Sequence, residues 1–263
     1  MNEEKIFRIS RQYRGLRMFE RCYNRVVADL NFLNWYRSFR GVQYRGRIWY
    51  NPNPAPQCDW NTEREKPRTS GDPVRILFAR RFVPEKGTRL IGEVLKDLLA
   101  LRPQTRVTLA GEDGPEKEYF QHLFSGDERV TITSYDIPDA LSVHRSHDIA
   151  VIPSVCGEAT SFSVSEAMAT GCAVVATNMG GTITQVIDGY SGLLCFPEKK
   201  ALLEALLLLI DHPEKRAEIQ KNGWALVQTA FSLKRWRERW KEILAEVVST
   251  REATAEKMRR EHH

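Results

Sequence analysis

No apolar run in this sequence approaches the roughly 20 residues that a membrane-spanning helix needs. The longest, Ala201–Ile210, is interrupted by Glu204. No charged-then-apolar leader opens the chain, so export is not expected. The five cysteines (Cys22, Cys58, Cys156, Cys172 and Cys195) contain no CxxC pair and leave one odd. That usage fits a reduced cytoplasmic protein better than a disulfide scaffold. Neither GxGxxG nor GxxxxGK[ST] occurs, so nicotinamide-binding and P-loop readings lack their fingerprint. No DxD triplet is present either.

What is present suffices for folding without staples. The chain has 263 residues, 42% of them hydrophobic and 10% aromatic, enough for one globular domain plus extras or for two small domains. The net charge of +5 is unevenly placed, because residues 1–60 carry eleven Lys/Arg against five Asp/Glu while the rest of the chain is close to neutral. Within that arm Arg8, Arg11, Arg14, Arg17, Arg21 and Arg25 recur every three or four residues. Ile6, Ile9, Tyr13, Leu16, Phe19 and Tyr23 form a parallel apolar stripe. The pattern predicts a basic amphipathic helix. Three readings stand for it, in this order: a solvated face on a packed helix, attachment to an anionic membrane surface, and nucleic acid, for which no accompanying signature is found.

Beyond the arm, residues 51–73 hold five of the twelve prolines and read as a Pro-rich linker, since proline removes donors and disfavours helix on both sides. From Val74 onward short apolar runs alternate with helical periods. The runs are Val74–Ala79, Arg106–Ala110, Val130–Thr133, Ile149–Pro153, Ala173–Thr177 and Gly192–Phe196. The clearest helical period is Leu90, Ile91, Val94, Leu95, Leu98 and Leu99. Such alternation predicts βαβ units and an α/β fold with a doubly wound parallel sheet. Helices follow at about 198–211, 213–229 and 232–249, the last opened by Ser232 as N-cap. A doubly wound sheet binds its ligand at the carboxyl ends of the strands, so the residues after each run are the place to look for chemistry.

After the first run come Arg80, Arg81, Lys86 and Gly87, cations in a strand-to-helix loop suited to a phosphate. After the second, Gly111 and Gly114 allow close backbone approach. After the fourth, Glu158 and Glu166 bracket a stretch of small residues. Their spacing rules out a tight catalytic dyad but allows them to flank an extended ligand whose diphosphate rests on a helix N-terminus. Taken singly, each of these features reads first as an ordinary turn or a solvated surface. His122, His144 and His147 read as core or surface histidines.

Taken in order, these motifs resemble those of the C-terminal, donor-binding domain of GT-B glycosyltransferases, family 4 (group 1), over about Val74 to Val247. Arg81…Lys86-Gly87 is similar to the family's R-x4-K-G, and Gly111…Gly114-Pro115 to its G-x-G-P loop. Glu158 and Glu166 form an E-x7-E, continued by Ala167-Met168-Ala169-x-Gly171. Gly180-Gly181 and Asp188-Gly189…Gly192 close the series.

The resemblance implies a Rossmann-like doubly wound sheet at 74–229 and a C-terminal crossing helix and tail at 230–263. Residues 1–50 would be only the end of the N-terminal domain. It implies a retaining transferase moving a hexose-type sugar from a nucleoside-diphosphate sugar (UDP, GDP or another base) to a saccharide or lipid-linked acceptor, without metal or other cofactor. Arg81 and Lys86 would hold the diphosphate and Glu166 the ribose hydroxyls. Glu158 would contact the sugar, with Gly111 and main-chain N–H groups around Thr160, Ser161, Phe162 and Ser163 lining the donor, and Ser134–Pro138 facing the base. The roles expected with it are polysaccharide assembly and a cytoplasmic location, peripheral at the inner face of the membrane if the basic arm binds lipid. A separate chain would supply the acceptor domain.

Two alternatives are a non-catalytic nucleotide-sugar-binding fragment and a membrane- or polyanion-binding module. The sequence also departs from the family pattern. Arg80 stands where a glycine precedes the motif arginine, Thr160-Ser161 replace Phe-Gly inside E-x7-E, and Thr184 stands where a glutamate often follows Gly-Gly. These departures bear on which sugar is carried.

Overall fold

The apolar runs of the body form six parallel strands: β3 (Arg75–Ala79), β4 (Arg106–Ala110), β5 (Val130–Thr133), β6 (Ile149–Ile152), β7 (Ala173–Thr177) and β8 (Leu193–Cys195), preceded in the chain by β1 (Asn24–Val27) and β2 (Arg47–Tyr50). The computed structural model describes residues 22, 24–30, 47–63 and 71–261, without side chains at 62, 63 and 251–261. The chain divides into two units, one spanning Asn53–Arg235 and the other comprising Met1–Pro52 with Trp236–His263. The strand boundaries match the sequence pattern to within a residue at each end. Pro153, expected inside the fourth run, lies just outside β6 because it has no N–H for a ladder.

In the Asn53–Arg235 unit the strand order is β5-β4-β3-β6-β7-β8, with every pairing parallel. Its helices are α1 (Trp60–Glu63), α2 (Thr88–Leu101), α3 (Lys117–Leu123), α4 (Ala140–Arg145), α5 (Phe162–Ala169), α6 (Thr182–Gln185), α7 (Lys199–Asp211) and α8 (Pro213–Thr229). β6 and β7 read as unbroken apolar runs because both of their faces are covered. Ile149, Val151, Ala173 and Val175 pack with residues of α2, α3 and α7, including Leu95, Phe120 and Leu206. Their alternate neighbours Ala150, Ile152, Val174 and Ala176 pack with residues of α5 and α8, such as Val164, Met168 and Val227. The first crossover leaves β3 for β4 and the later ones run from β6 outward. The winding therefore reverses between β3 and β6, which places a crevice at their carboxyl ends.

Residues 53–58, the start of the Pro-rich stretch, are tied to the helical end of this unit. Ala55 N–H donates to Phe231 O at 2.7 Å, Trp224 Nε1 to Cys58 O at 2.9 Å and Gln228 Nε2 to Pro56 O at 3.2 Å. In the other unit β1 and β2 pair in parallel. The last helix, α9 (Leu233–Glu261), continues twelve residues past the 232–249 expected from the sequence. Ser232 Oγ accepts the Arg235 N–H at 3.2 Å as its cap. Trp49 Nε1 donates to Glu246 Oε2 at 3.1 Å, and Arg47 pairs with the same carboxylate. The arginine stripe from Arg8 to Arg21 lies outside the described residues. Its last member, Arg25, is no helix residue but sits buried in β1, where strand pairing overrides the three-to-four spacing. Among the described residues no helix is long and apolar enough to cross a membrane.

Candidate active site

The residues that follow β3 and β6 converge at the crevice. β3 ends at Ala79, so Arg80 is the first residue beyond it, and its N–H donates to Ala110 O at the end of β4. A 3₁₀ turn at Pro84–Lys86 then leads to Gly87, whose φ of 77° lies in the left-handed region. A side chain there would be strained, and its Cβ would overlap the Pro153 carbonyl. This glycine lets the loop after β3 lie directly on the loop after β6. Gly111 serves the same close approach across β4, where a Cβ would strike the Arg80 carbonyl.

Glu158 is the hub. Its Oε1 accepts hydrogen bonds from Arg80 Nη2 at 2.6 Å, Lys86 Nζ at 2.7 Å and Ser154 Oγ at 2.5 Å. Its backbone is fixed as well: Glu158 bridges Gly180 in parallel, and its carbonyl accepts the Gly181 N–H at 2.5 Å. Both Arg80 and Glu158 are buried, at 7% and 8% exposure. Burial alone would raise the Glu158 carboxyl, but the Arg80 charge and the bonds from Lys86 and Ser154 outweigh it and hold the group below its ordinary value. The Arg80 guanidinium is lowered by burial, against which Glu158 acts.

On the opposite wall, α5 begins with Ser161 as its N-cap residue, in extended conformation. Ser161 Oγ accepts from Arg80 Nη1 at 3.2 Å, and Ser163 Oγ donates to Ala79 O at 3.2 Å, fastening the helix start to the end of β3. Gln185 of α6 grips the backbone of Ser161. Its Oε1 accepts the Ser161 N–H at 2.6 Å, and its Nε2 donates to Ser161 O at 3.0 Å. The Ser161 amide, expected among the donors facing a ligand, is therefore taken. The N–H groups of Phe162 and Ser163 lack a partner within the helix, as at any helix start. Thr160 is buried and Phe162 is 57% exposed. Glu166, a turn further along α5, is half-buried. Burial raises its carboxyl, and Arg80 only partly offsets this. Tyr135, in the loop expected to face a base, has its hydroxyl raised by burial and by the Glu166 charge, with Arg80 opposing.

The structure thus gathers Lys86, Glu158, Ser161, Ser163, Glu166 and Gly111 around one crevice. It leaves the Arg81 side chain exposed beside it. The parts of Ser154 and Gln185 were not foreseeable, and Arg80 stood out only as one of the loop cations and as a departure from the family pattern. For Arg80 the available signal was a cation immediately after a central strand. For Gln185, on a helix of four residues, there was none. His144 is buried with Nδ1 2.8 Å from Ala140 O, and His147 Nε2 lies 2.8 Å from Thr108 Oγ1, both ahead of β6.

This six-stranded sheet with its switch-point crevice is the Rossmann-like half of a GT-B fold. A sucrose-phosphate synthase from Thermosynechococcus elongatus superposes with a TM-score of 0.72 at 23% identity, covering 88% of this chain and 60% of that one. HepE of Anabaena, solved with UDP-glucose, superposes with a TM-score of 0.69 at 20% identity, covering 86% of this chain and 65% of that one. Residues 59–225 match the family model described as glycosyl transferases group 1, and the chain belongs to that family. A D-inositol 3-phosphate glycosyltransferase of Corynebacterium efficiens is 30% identical over 68% of this chain. The chain spans less than half the length of the curated relatives it matches, 46% of this one and 44% of a glycogen synthase of Mycobacterium tuberculosis.

Proposed function

We propose that this chain carries the donor half of a retaining, metal-independent glycosyltransferase, which moves a hexose-type sugar from a nucleoside-diphosphate sugar to a saccharide or lipid-linked acceptor. The observation that carries this reading is the cluster of Lys86, Arg80 and Glu158 beside the start of α5, at the crevice where the winding reverses. The donor diphosphate lies against the Phe162 and Ser163 amides and draws on Lys86 and Arg81, a point charge and a planar fork. Glu166 receives the ribose hydroxyls and Glu158 faces the sugar. In the transfer, the bond from the anomeric carbon to the diphosphate breaks and one to the acceptor oxygen forms on the same face, with the acceptor proton passing to the departing phosphate oxygen. The cations stabilise the charge that develops on the leaving group, and the Glu158 carboxylate favours positive charge at the anomeric carbon. The acceptor site belongs to a further domain, on this protein or on a partner. Membership of the family and the UDP-glucose held by the fold neighbour HepE support the donor class.

A thermal-shift panel of UDP, GDP, ADP and their sugar conjugates tests the reading. At least one diphosphate raises the melting temperature, and Lys86→Ala removes the rise. Failure of every nucleotide refutes the donor site, and an unchanged shift in Lys86→Ala removes Lys86 from it.

A further inference from the structure

Two positions where the family resemblance has glycine carry side chains here, and those side chains bond each other. Arg80 Nη1 donates to Ser161 Oγ at 3.2 Å across 81 positions of sequence, and the other arm of the same guanidinium donates to Glu158 Oε1 at 2.6 Å. The departures are one device. Glu158 Oε1 receives all three of the side-chain bonds described for this carboxylate, from Arg80, Lys86 and Ser154. Oε2 receives none of these bonds, and it is not among the sealed, partnerless polar atoms of the described residues.

Resting on the donor-site reading above, we infer that Arg80 and Ser161 together form a positioning pair for donor-sugar recognition, holding Glu158 with Oε1 occupied and Oε2 presented to a hydroxyl of the transferred sugar. The need for the pair follows from Lys86. The ammonium that now bonds Glu158 is also the group best placed to meet a diphosphate, and it has one charge to give. When it turns to the phosphates, Glu158 loses one of its two cations while remaining 8% exposed, where an uncompensated carboxylate takes up a proton. Arg80 keeps it ionised, and Ser161, itself clamped by Gln185, keeps Arg80 from following the phosphates. The charged and titratable groups around this carboxylate are Arg80 and Lys86 on the β3 side, with Tyr135 from the loop after β5 and Cys156 from the loop after β6 acting on Arg80, and Glu166 of α5 feeling the Arg80 charge. Gly180 and Gly181, on the remaining side, contribute backbone only.

The test measures the affinity ratio of UDP-glucose to UDP, with GDP-mannose and GDP as a second pair, by calorimetry between pH 4 and 8. The variants are Arg80→Gly, Ser161→Gly and both together. Glycine fits both places in the family pattern, so the fold persists, and Arg80→Lys keeps the charge without the fork. Arg80→Gly lowers the affinity for UDP-glucose by about tenfold more than it lowers that for UDP, as the loss of one charged hydrogen-bond partner predicts. The acid limb of the ratio moves to higher pH, because Glu158 protonates more easily. Ser161→Gly gives a smaller change in the same direction and adds nothing once Arg80 is gone, and Arg80→Lys restores the position of the acid limb. Equal losses for UDP and UDP-glucose would put Arg80 on the diphosphate and overturn the inference, as would an unchanged ratio and pH profile. If the unsubstituted protein binds none of the four probes, the donor reading falls and takes this inference with it.

Discussion

Glu158 and Glu166 are chemically identical and eight positions apart, yet their surroundings give them opposite signs. Glu158 is held below the ordinary carboxylate value of about 4.3 by its cations. Its stabilising contribution is therefore present above that value and lost as the pH falls through the lower folded one. Glu166 is raised by burial, so its contribution is full below the ordinary value and is lost as the pH rises through the raised one. In urea unfolding from pH 3 to 7, Glu158→Gln costs about 3 kcal/mol near neutrality, because it strands the buried Arg80 charge, and it flattens the fall in stability toward acid. Glu166→Gln gains stability near neutrality and leaves the acid fall in place. The assignment fails if both substitutions shift the neutral midpoint in the same direction. A residue that weakens the fold while it is charged is retained for a reason other than stability, in keeping with a ligand-facing role.

At the scale of elements, the site depends on pieces too short to persist alone. α6 has four residues, far below the length at which an isolated helix holds. Its Gln185 is 2% exposed and bonds Ser161 N–H, Ser161 O and Ser165 Oγ. Gln185→Leu keeps the approximate volume but leaves the buried Ser161 amide without its partner, while the Ser161 carbonyl keeps only the Ser165 N–H at 3.3 Å. The expected loss is about 1–3 kcal/mol, with faster hydrogen exchange confined to the start of α5. Exchange unchanged there would mean that the clamp is not what orders the helix. The same contrast explains what could be read from sequence. The strands were legible because a parallel strand covered on both faces must be apolar throughout, as Val151 and Val174 illustrate. The convergence of Lys86 with Glu158 was legible only through ordered motifs. The Arg80–Ser161 and Gln185–Ser161 contacts were not, since each joins residues 24 or 81 positions apart by side-chain geometry that no local periodicity encodes.

For the whole molecule, the division of labour follows from where the cores lie. Every member of the two large apolar clusters falls between Ala55 and Phe231. All of the residues gathered at the crevice, from Arg80 to Gln185, lie within the Asn53–Arg235 unit. The basic excess of residues 1–60 falls wholly outside it. A unit of that length, with apolar layers on both faces of its sheet, meets the size and burial conditions for independent folding. A fragment spanning residues 53–235 is therefore expected to unfold cooperatively in urea and to bind UDP or GDP within about twofold of the full chain, since no donor-facing side chain has been removed. On the proposed reading it transfers no sugar, because that reading assigns acceptor binding to a further domain. If the fragment fails to fold, or folds but loses the nucleotide, the donor site extends into the segments 1–52 or 236–263. Retained transfer by the fragment would instead place the acceptor site inside the sheet-bearing unit and dispense with a second domain.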